Sequence, residues 1–390
     1  MKKTLLTICL TWMCFSLSAQ KIIDLSGKWS FSIDRQDNGE KEKWFSHTLN
    51  DCINLPGSMP EKLKGDEVTA KTQWTGSLYD SSYYYNPYME KYRKEGNIKF
   101  PFFLTPDKHY VGAAWYQKEV NIPADWKGER ILLFLERPHI ETTVWVNGQK
   151  TGMQNSLCVP HQYDITRYVR PGKCTITIRV DNRIKEINVG PDSHSITDQT
   201  QGNWNGIVGR ICLQTTPKTY FDDIQIYPEP EQKLARVKVV IKGAGITKIK
   251  LSAESFNTDK KHIVPAIQQE IKLNKGVTET EMVLPMGNDM LLWDEFHPAL
   301  YKLKAEVTNG KKTEIKEIQF GMRRFEIKGK WFYVNGRKTQ LRGTVENCDF
   351  PLTGYAPMDV ESWERVFRIC RSYGLNHMRF HSFCPCLLYT

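Results

Sequence analysis

Short apolar runs separated by Gly, Pro, Asn and Asp fill the chain between residues 29 and 217. Residues 175–180 alternate between polar and apolar side chains, with the period of two that a half-buried strand requires. Residues 143–148 end in Asn-Gly, the dipeptide that best supplies the two positive φ angles of a two-residue hairpin. The pattern contains no convincing helical stripe of three turns, so it predicts an all-β sandwich of jelly-roll type, with residues 78–110 as a long loop over it.

A second series of strands begins near Tyr220. Residues 301–307 alternate up to an Asn-Gly turn at residues 309 and 310, and a further strand returns through Phe320. About 100 residues with this spacing, without a long helix or a cysteine pair, predict a small immunoglobulin-like sandwich that lacks the usual disulfide. The four strands predicted before residue 300 cover residues 237–241, 249–253, 263–271 and 278–284.

The pattern changes after Phe325. Residues 331–334 form a predicted strand that turns at Asn-Gly into a second strand over 339–344. Apolar residues then recur at helical spacing from Val360 to Cys370, with Asp359 placed to cap the helix and Gly374 to end it. A further strand is predicted over 375–380. Strand, helix and strand in this order are the opening of an α/β unit.

The first 19 residues have the layout of a secretory signal peptide: two lysines, a short apolar run, and small residues at Ser18 and Ala19. We therefore expect an exported protein, periplasmic or secreted. A lipid anchor at Cys9 or Cys14 is the lesser alternative, because neither cysteine follows the small residues of a lipoprotein cleavage site. The predicted organisation is a signal peptide over 1–19, a jelly-roll domain over 20–219, an immunoglobulin-like domain over 220–322 and the start of a TIM-barrel domain over 323–390.

Composition narrows the class of protein further. Hydrophobic residues at 40% and charged residues at 25% are typical of a globular protein and exclude a wholly disordered or fibrous chain. The net charge of +10 is spread along the chain, which argues against nucleic acid as a partner. No run approaches the ~20 apolar residues of a membrane span. Neither a phosphate-binding loop nor a dinucleotide fingerprint is present in the sequence, so we expect no cofactor.

Several short motifs occur in an order that resembles glycoside hydrolase family 2, the family of β-galactosidases, β-glucuronidases and β-mannosidases. Each motif alone is weak, but together they span nearly all of the chain after the signal segment. The resemblance implies a jelly roll, an immunoglobulin-like sandwich and then a (β/α)8 barrel, acting on an oligosaccharide or glycoside substrate. The motifs occupy residues 114–116, 144–148, 203–207, 292–301, 320–323 and 332–343.

Family resemblance also implies hydrolysis of a terminal β-linked sugar with retention, by two glutamates on the barrel whose carboxyl groups lie about 5 Å apart. A complete barrel takes about 250 residues, whereas about 50 follow Arg337. We therefore expect the two catalytic glutamates to be absent from these 390 residues and the chain alone to be inactive. Glu346, Glu361 and Glu364 are not assigned in their place, because the last two lie on a predicted helix face where acids are usually solvated.

Part of the substrate site is still expected near the ends of the first two barrel strands, where barrel active sites are built. By resemblance, the histidine of the Arg-x-His segment at the second strand helps to bind the hydroxyls of the terminal sugar. The predicted substrate-binding residues are Arg342, Glu346, Asn347, Arg379 and His381.

Two alternatives remain open at this stage. A free-standing carbohydrate-binding or interaction protein would bind sugar through exposed Trp or Tyr side chains of the jelly roll. A metal cluster of His377, His381, Cys384 and Cys386 is disfavoured, because its spacing matches no standard zinc pattern.

Overall fold

The computed structural model describes residues 20–75, 82–99, 102–185, 193–194, 196–198, 200 and 202–381, without the Ser82 and Lys275 side chains. The predicted signal peptide lies outside the described residues. The described part of the chain contains no helix that is long and apolar enough to cross a membrane. Two compact units are present. The smaller consists of Pro217–Leu291 and Leu300–Phe320, and the larger of Lys21–Thr216, Leu292–Ala299 and the described residues from Gly321 onwards.

Two antiparallel sheets form most of the larger unit. Apolar side chains of both sheets, among them Leu133 and Leu135 from the first and Ile176 and Ile178 from the second, join one buried cluster. This is the predicted sandwich, and the mainly β fold class is confirmed. The first sheet contains Ile22–Asp24, Gly57–Ser58, Arg130–Pro138, His161–Asp164 and Gly206–Thr216. The second contains Gly27–Asp34, Asp51–Leu55, Ala113–Ile122, Glu141–Val146, Gln149–Asn155 and Gly172–Asp181.

The Asn-Gly hairpin of the second sheet forms as predicted. Asn147 and Gly148 adopt φ angles of 50° and 76°, and Gln149 pairs with Val146 directly across the turn. A two-residue hairpin turn of type I′ requires positive φ angles at both of its central residues.

The described residues between 82 and 110 are more structured than the predicted long loop over 78–110. Their aromatic and proline residues form short helical turns instead, with Asn86 accepting a hydrogen bond from the Tyr88 amide at the start of one of them. The described elements here are an α-helical turn at Ser82–Tyr85, 3-10 helices at Pro87–Tyr92 and Phe102–Leu104, and a two-residue strand at Lys108–His109 that pairs with Asp66–Glu67. Further 3-10 helices lie at Trp44–Ser46 and Ala124–Trp126.

The smaller unit is built on one five-stranded antiparallel sheet. The prediction of four separate strands before residue 285 is wrong, because two strands of 23 residues each occupy this region. The first continues through Gly243 and Gly245, where the pairing register shifts. A β-carbon at Gly243 would lie 2.6 Å from the Thr219 hydroxyl, so the close approach of these two segments needs glycine at position 243. The strands are Tyr220–Glu229, Leu234–Phe256, Ile263–Pro285, Leu300–Asn309 and Lys312–Phe320, with a 3-10 helix at Pro230–Gln232.

After residue 321 the larger unit continues with a three-stranded antiparallel sheet of Phe325–Lys328, Trp331–Val334 and Arg337–Thr339. The strand predicted over 339–344 is wrong, because one strand ends at Thr339 and the next, Gly343–Glu346, begins four residues later. It belongs to a different sheet.

The predicted α/β unit has a helix at Val360–Ser372 between two parallel strands, Gly343–Glu346 and His377–Phe380. Both predicted helix ends are observed: the Asp359 carboxylate accepts a hydrogen bond from the Ser362 amide at 2.7 Å, and Gly374 follows the helix with a φ of 76°. This unit has the pattern that opens a (β/α)8 barrel, while the barrel itself stays a prediction.

Candidate functional site

The carboxyl ends of the two parallel strands form the edge on which the candidate site lies. Glu346 pairs with Phe380 at the last position of the ladder. The His381 amide then donates a hydrogen bond to the Glu346 carbonyl at 2.8 Å. Three of the predicted residues, Glu346, Asn347 and His381, therefore come together at one edge of this sheet.

Arg342 lies at the opposite edge, so the prediction that it ends the first strand is wrong. It precedes the strand, and its backbone amide donates to the Asn376 side-chain oxygen at 2.8 Å. Its guanidinium donates to the Gly374 carbonyl at 2.8 Å and reaches Glu295 at 3.4 Å. The misplaced strand over 339–344 caused the error, and these contacts give Arg342 a structural role at the amino ends of the strands.

Arg379 lies within its strand, one position before the edge. It pairs with Val345 in the register, and its side chain is exposed. The next residue, Phe380, packs against the Trp363 ring of the helix, with centroids 5.5 Å apart. Because side chains alternate along a strand, Arg379 projects from the face opposite that helix.

Two residues that the sequence analysis did not single out, His194 and Asp349, join the carboxyl edge. The ring of His194, from a loop of the jelly roll, lies 4.5 Å from the His381 ring, measured between centroids. Burial raises the pKa of Asp349, the Glu346 carboxylate raises it further, and the His194 and His381 imidazoles oppose that change. We call His194, Glu346, Asn347, Asp349 and His381 the carboxyl-edge cluster.

The local geometry of this cluster is fixed by the backbone. The Cys348 amide donates to a Glu346 carboxylate oxygen at 3.0 Å, which orients that carboxylate. Cys348 itself is buried and adopts a φ of 62°, so the chain turns sharply between Glu346 and Asp349. Imidazoles donate or accept hydrogen bonds and carboxylates accept them, so the cluster presents the groups that bind vicinal hydroxyls.

The family motif at residues 203–207 has a different role, because its asparagines hold the jelly roll together. The buried Asn205 amide donates to the Gly112 and Val180 carbonyls at 3.0 Å each and accepts from the Tyr116 hydroxyl at 2.8 Å. The Asn203 side-chain oxygen lies 3.1 Å from His139 Nε2 and accepts a hydrogen bond from it in the tautomer that carries its proton on Nε2. These bonds satisfy polar groups in the core and do not point to catalysis.

Trp204 of the same motif connects the jelly roll to the segment before the helix. Its ring stacks on His139 at 4.5 Å and contacts Tyr355 at 5.6 Å. Burial lowers the pKa of His139 to about 3, so this imidazole is neutral at pH 7. The cavity beside these rings measures about 30 Å³, which is room for about one water molecule and too small for a sugar.

Metal ligation finds no support in the described part of the chain, where no group of three or more His, Cys, Asp or Glu side chains could hold an ion. His377 begins its strand and His381 follows its end, which places the two histidines at opposite edges of the sheet. Cys384 and Cys386, the other members of the disfavoured cluster, lie outside the described residues.

A jelly-roll sandwich, a second β unit and a parallel strand pair with polar residues at its carboxyl edge define a modular, mainly β protein. Residues 22–217 match the sugar binding domain of glycosyl hydrolases family 2, and residues 219–323 match a second domain of glycosyl hydrolases family 2. The chain belongs to glycosyl hydrolase family 2.

Curated relatives are O-glycosyl hydrolases. The chain is 25% identical to a β-galactosidase of Thermoanaerobacter pseudethanolicus over 73% of its own length and 38% of the relative's. It is 23% identical to the human β-glucuronidase over 91% of its length and 53% of the relative's. The chain thus spans between about a third and a half of the length of these relatives.

Solved structures show the same fold. A β-glucuronidase of Ruminococcus gnavus, in complex with D-glucaro-δ-lactam, superposes with a TM-score of 0.65 at 19% identity, covering 93% of this chain and 56% of that one. A family 2 member from Bacteroides cellulosilyticus gives a TM-score of 0.66 at 19% identity, covering 92% of this chain and 42% of that one.

Proposed function

We propose that these residues supply the scaffold and part of the sugar-binding site of an exported, retaining β-glycosidase that acts on terminal β-linked galactosides or glucuronides. The observation that carries the proposal is the carboxyl-edge cluster, because it gathers imidazole and carboxylate groups where barrel enzymes bind substrate. The relatives named β-galactosidase and β-glucuronidase support this choice of sugars.

We further propose that the catalytic carboxyl pair is not among the 390 residues. Retaining hydrolysis needs a proton donor and a nucleophile on opposite sides of the glycosidic bond. Glu361 and Glu364 are exposed on the helix, and the Glu364 carboxylate pairs with Arg368 at 2.9 Å. Glu346 is already engaged by the Cys348 amide. These carboxylates suit solvation and sugar binding, so cleavage requires groups from additional polypeptide.

Turnover and binding measured on the purified 390-residue chain test both parts of the proposal. We expect no release of 4-nitrophenolate from 4-nitrophenyl β-D-galactoside or β-D-glucuronide, but saturable calorimetric binding of at least one of the corresponding methyl glycosides. Turnover would contradict the missing catalytic pair. Absence of binding to both sugars would contradict the sugar site.

Export is proposed from the signal-like segment and is tested on protein expressed with that segment. The mature chain recovered from the periplasm or medium is expected to begin at Gln20, directly after Ala19. Intact-mass measurement gives the N-terminus in each cell fraction. Export would be refuted if the protein were found only in the cytosolic fraction and still carried residues 1–19.

A second candidate function, non-catalytic glycan binding by the jelly roll, is favoured by one observation. Tyr85 and Tyr88 are 71% and 86% exposed on neighbouring helical turns, as aromatic platforms for sugar rings are. Loss of glycan-array binding in a Tyr85→Ala, Tyr88→Ala variant would support this function. The matched control is Tyr227→Ala, which removes a 45% exposed tyrosine of the smaller unit.

A further inference from the structure

The carboxyl-edge cluster takes one of its imidazoles from a different part of the fold. His381 follows the second parallel strand, whereas His194 belongs to the jelly-roll loop that precedes the strand Gly206–Thr216. Their ring centroids lie 4.5 Å apart with the rings inclined at 51°, so a ligand that contacts one ring reaches the other.

The loop holds His194 in place although its side chain is exposed. The Thr200 hydroxyl donates to the His194 carbonyl at 2.8 Å. Ile196 and Asp198, two and four residues after His194, are buried, and the Asp198 carboxylate accepts from the Thr75 amide at 2.6 Å. An exposed imidazole on an anchored loop gains little stability from its position but is preorganised for a ligand.

The charges around the two imidazoles also fit a polyhydroxylated ligand. Asp349 lies close enough to Glu346, His194 and His381 for each of these three side chains to change the pKa of its carboxyl group. Neighbouring sugar hydroxyls each donate one hydrogen bond and accept others, so paired imidazoles and carboxylates complement them.

We propose that His194 is a further sugar-binding residue, which contacts the same terminal sugar as His381. The inference rests on the proposed function, because it assigns a new residue to that same site. It predicts that neither histidine responds to sugar without the other.

The test follows the nine histidines by NMR in the 390-residue chain labelled with ¹³C at the imidazole Cε1 position. Methyl β-D-galactoside and methyl β-D-glucuronide are titrated separately, and resonances are assigned from single His→Gln variants. For at least one sugar, the His194 and His381 resonances are expected to shift with the same midpoint. His297, whose side chain is 80% exposed, is the internal control and should not shift.

Two substitutions separate ligand contact from a structural role. His194→Asn keeps a side-chain hydrogen-bond donor, whereas His194→Leu keeps bulk and removes it. The shift of the His381 resonance reports sugar binding in both variants. We expect binding to be at least about fivefold weaker in the leucine variant and about twofold weaker or less in the asparagine variant. Both should retain the unfolding midpoint of the unsubstituted chain, because the side chain is exposed.

The outcomes also distinguish this inference from the proposed function. If His381 shifts while His194 does not, or if His194→Leu binds as tightly as the unsubstituted chain, the role of His194 is refuted and the sugar site stands. If both histidines stay unshifted with both sugars, the sugar site and the inference are refuted together.

Discussion

Acidification should destabilise the jelly roll through His139. This imidazole is 4% exposed, and burial lowers its pKa from 6.5 to about 3, with the hydrogen bond to Asn203 acting in the opposite direction. The unfolded chain keeps the ordinary pKa, so it takes up the proton first as the pH falls. The stability that the neutral ring contributes is therefore complete above pH 6.5 and is lost between pH 6.5 and pH 3.

The expected loss between pH 7 and pH 5 is about 2 kcal/mol, because an unfolded histidine gains most of one proton over this interval and the folded one almost none. His161 adds a similar loss of about 2 kcal/mol. It is completely buried, its Nδ1 lies 2.6 Å from the Thr142 hydroxyl, and burial lowers its pKa to about 4.

Urea unfolding at pH 7, 6 and 5, followed by tryptophan fluorescence, measures these losses. His139→Gln and His161→Gln keep a polar side chain that does not titrate, so each should reduce the loss between pH 7 and pH 5 by about 2 kcal/mol. The control is His47→Gln, an exposed position, which should leave the pH dependence unchanged. A His139→Gln variant with the pH dependence of the unsubstituted chain would refute the reasoning.

Three further substitutions test the fold. Asn205→Ala leaves three buried partners without their bond and should lower the free energy of unfolding by about 3 kcal/mol, against less than about 0.5 kcal/mol for the exposed Asn121→Ala. Asp359→Ala should lower the stability of the helix by about 1 kcal/mol, measured as faster hydrogen exchange of its backbone amides. Equal protection of these amides in the variant and the unsubstituted chain would contradict the capping role of Asp359. Gly243→Ala should cost about 1–3 kcal/mol more in urea than Gly276→Ala, because both glycines have positive φ but only the first meets a neighbouring side chain; equal costs would contradict the close approach.

Local patterns predicted much of the fold. The Asn-Gly turns at residues 147 and 335 form because a two-residue hairpin needs two positive φ angles, and both are present at each turn. The helix limits at Asp359 and Gly374 were predictable for the same local reason, since a side-chain cap and a left-handed glycine depend on neighbours in sequence.

Errors arose where pairing across the sheet overrides local patterns. The glycines at 243 and 245 look like strand ends, but the strand continues through them, with a shift in the register of its pairing with Ile263–Pro285 between the two glycines. The sequence likewise placed the first parallel strand too early, which put Arg342 at the wrong edge. Register of this kind depends on residues far apart in the chain.

The candidate site divides in the same way. Glu346, Asn347 and His381 were predictable, because parallel strands bring their carboxyl ends to one edge. His194 and Asp349 were not, because each lies in an irregular loop without periodicity, and only the tertiary structure places them beside His381.

The binding of methyl β-D-glycosides to two single variants, measured by calorimetry, tests most directly whether sugar binds at the carboxyl ends of the parallel strands. His381→Gln alters the carboxyl edge, and Arg342→Gln alters the amino edge of the same two strands. We predict affinity at least about tenfold weaker for His381→Gln and within about twofold of the unsubstituted chain for Arg342→Gln. Weakened binding in Arg342→Gln, with unchanged binding in His381→Gln, would place the sugar at the opposite edge and contradict the assignment.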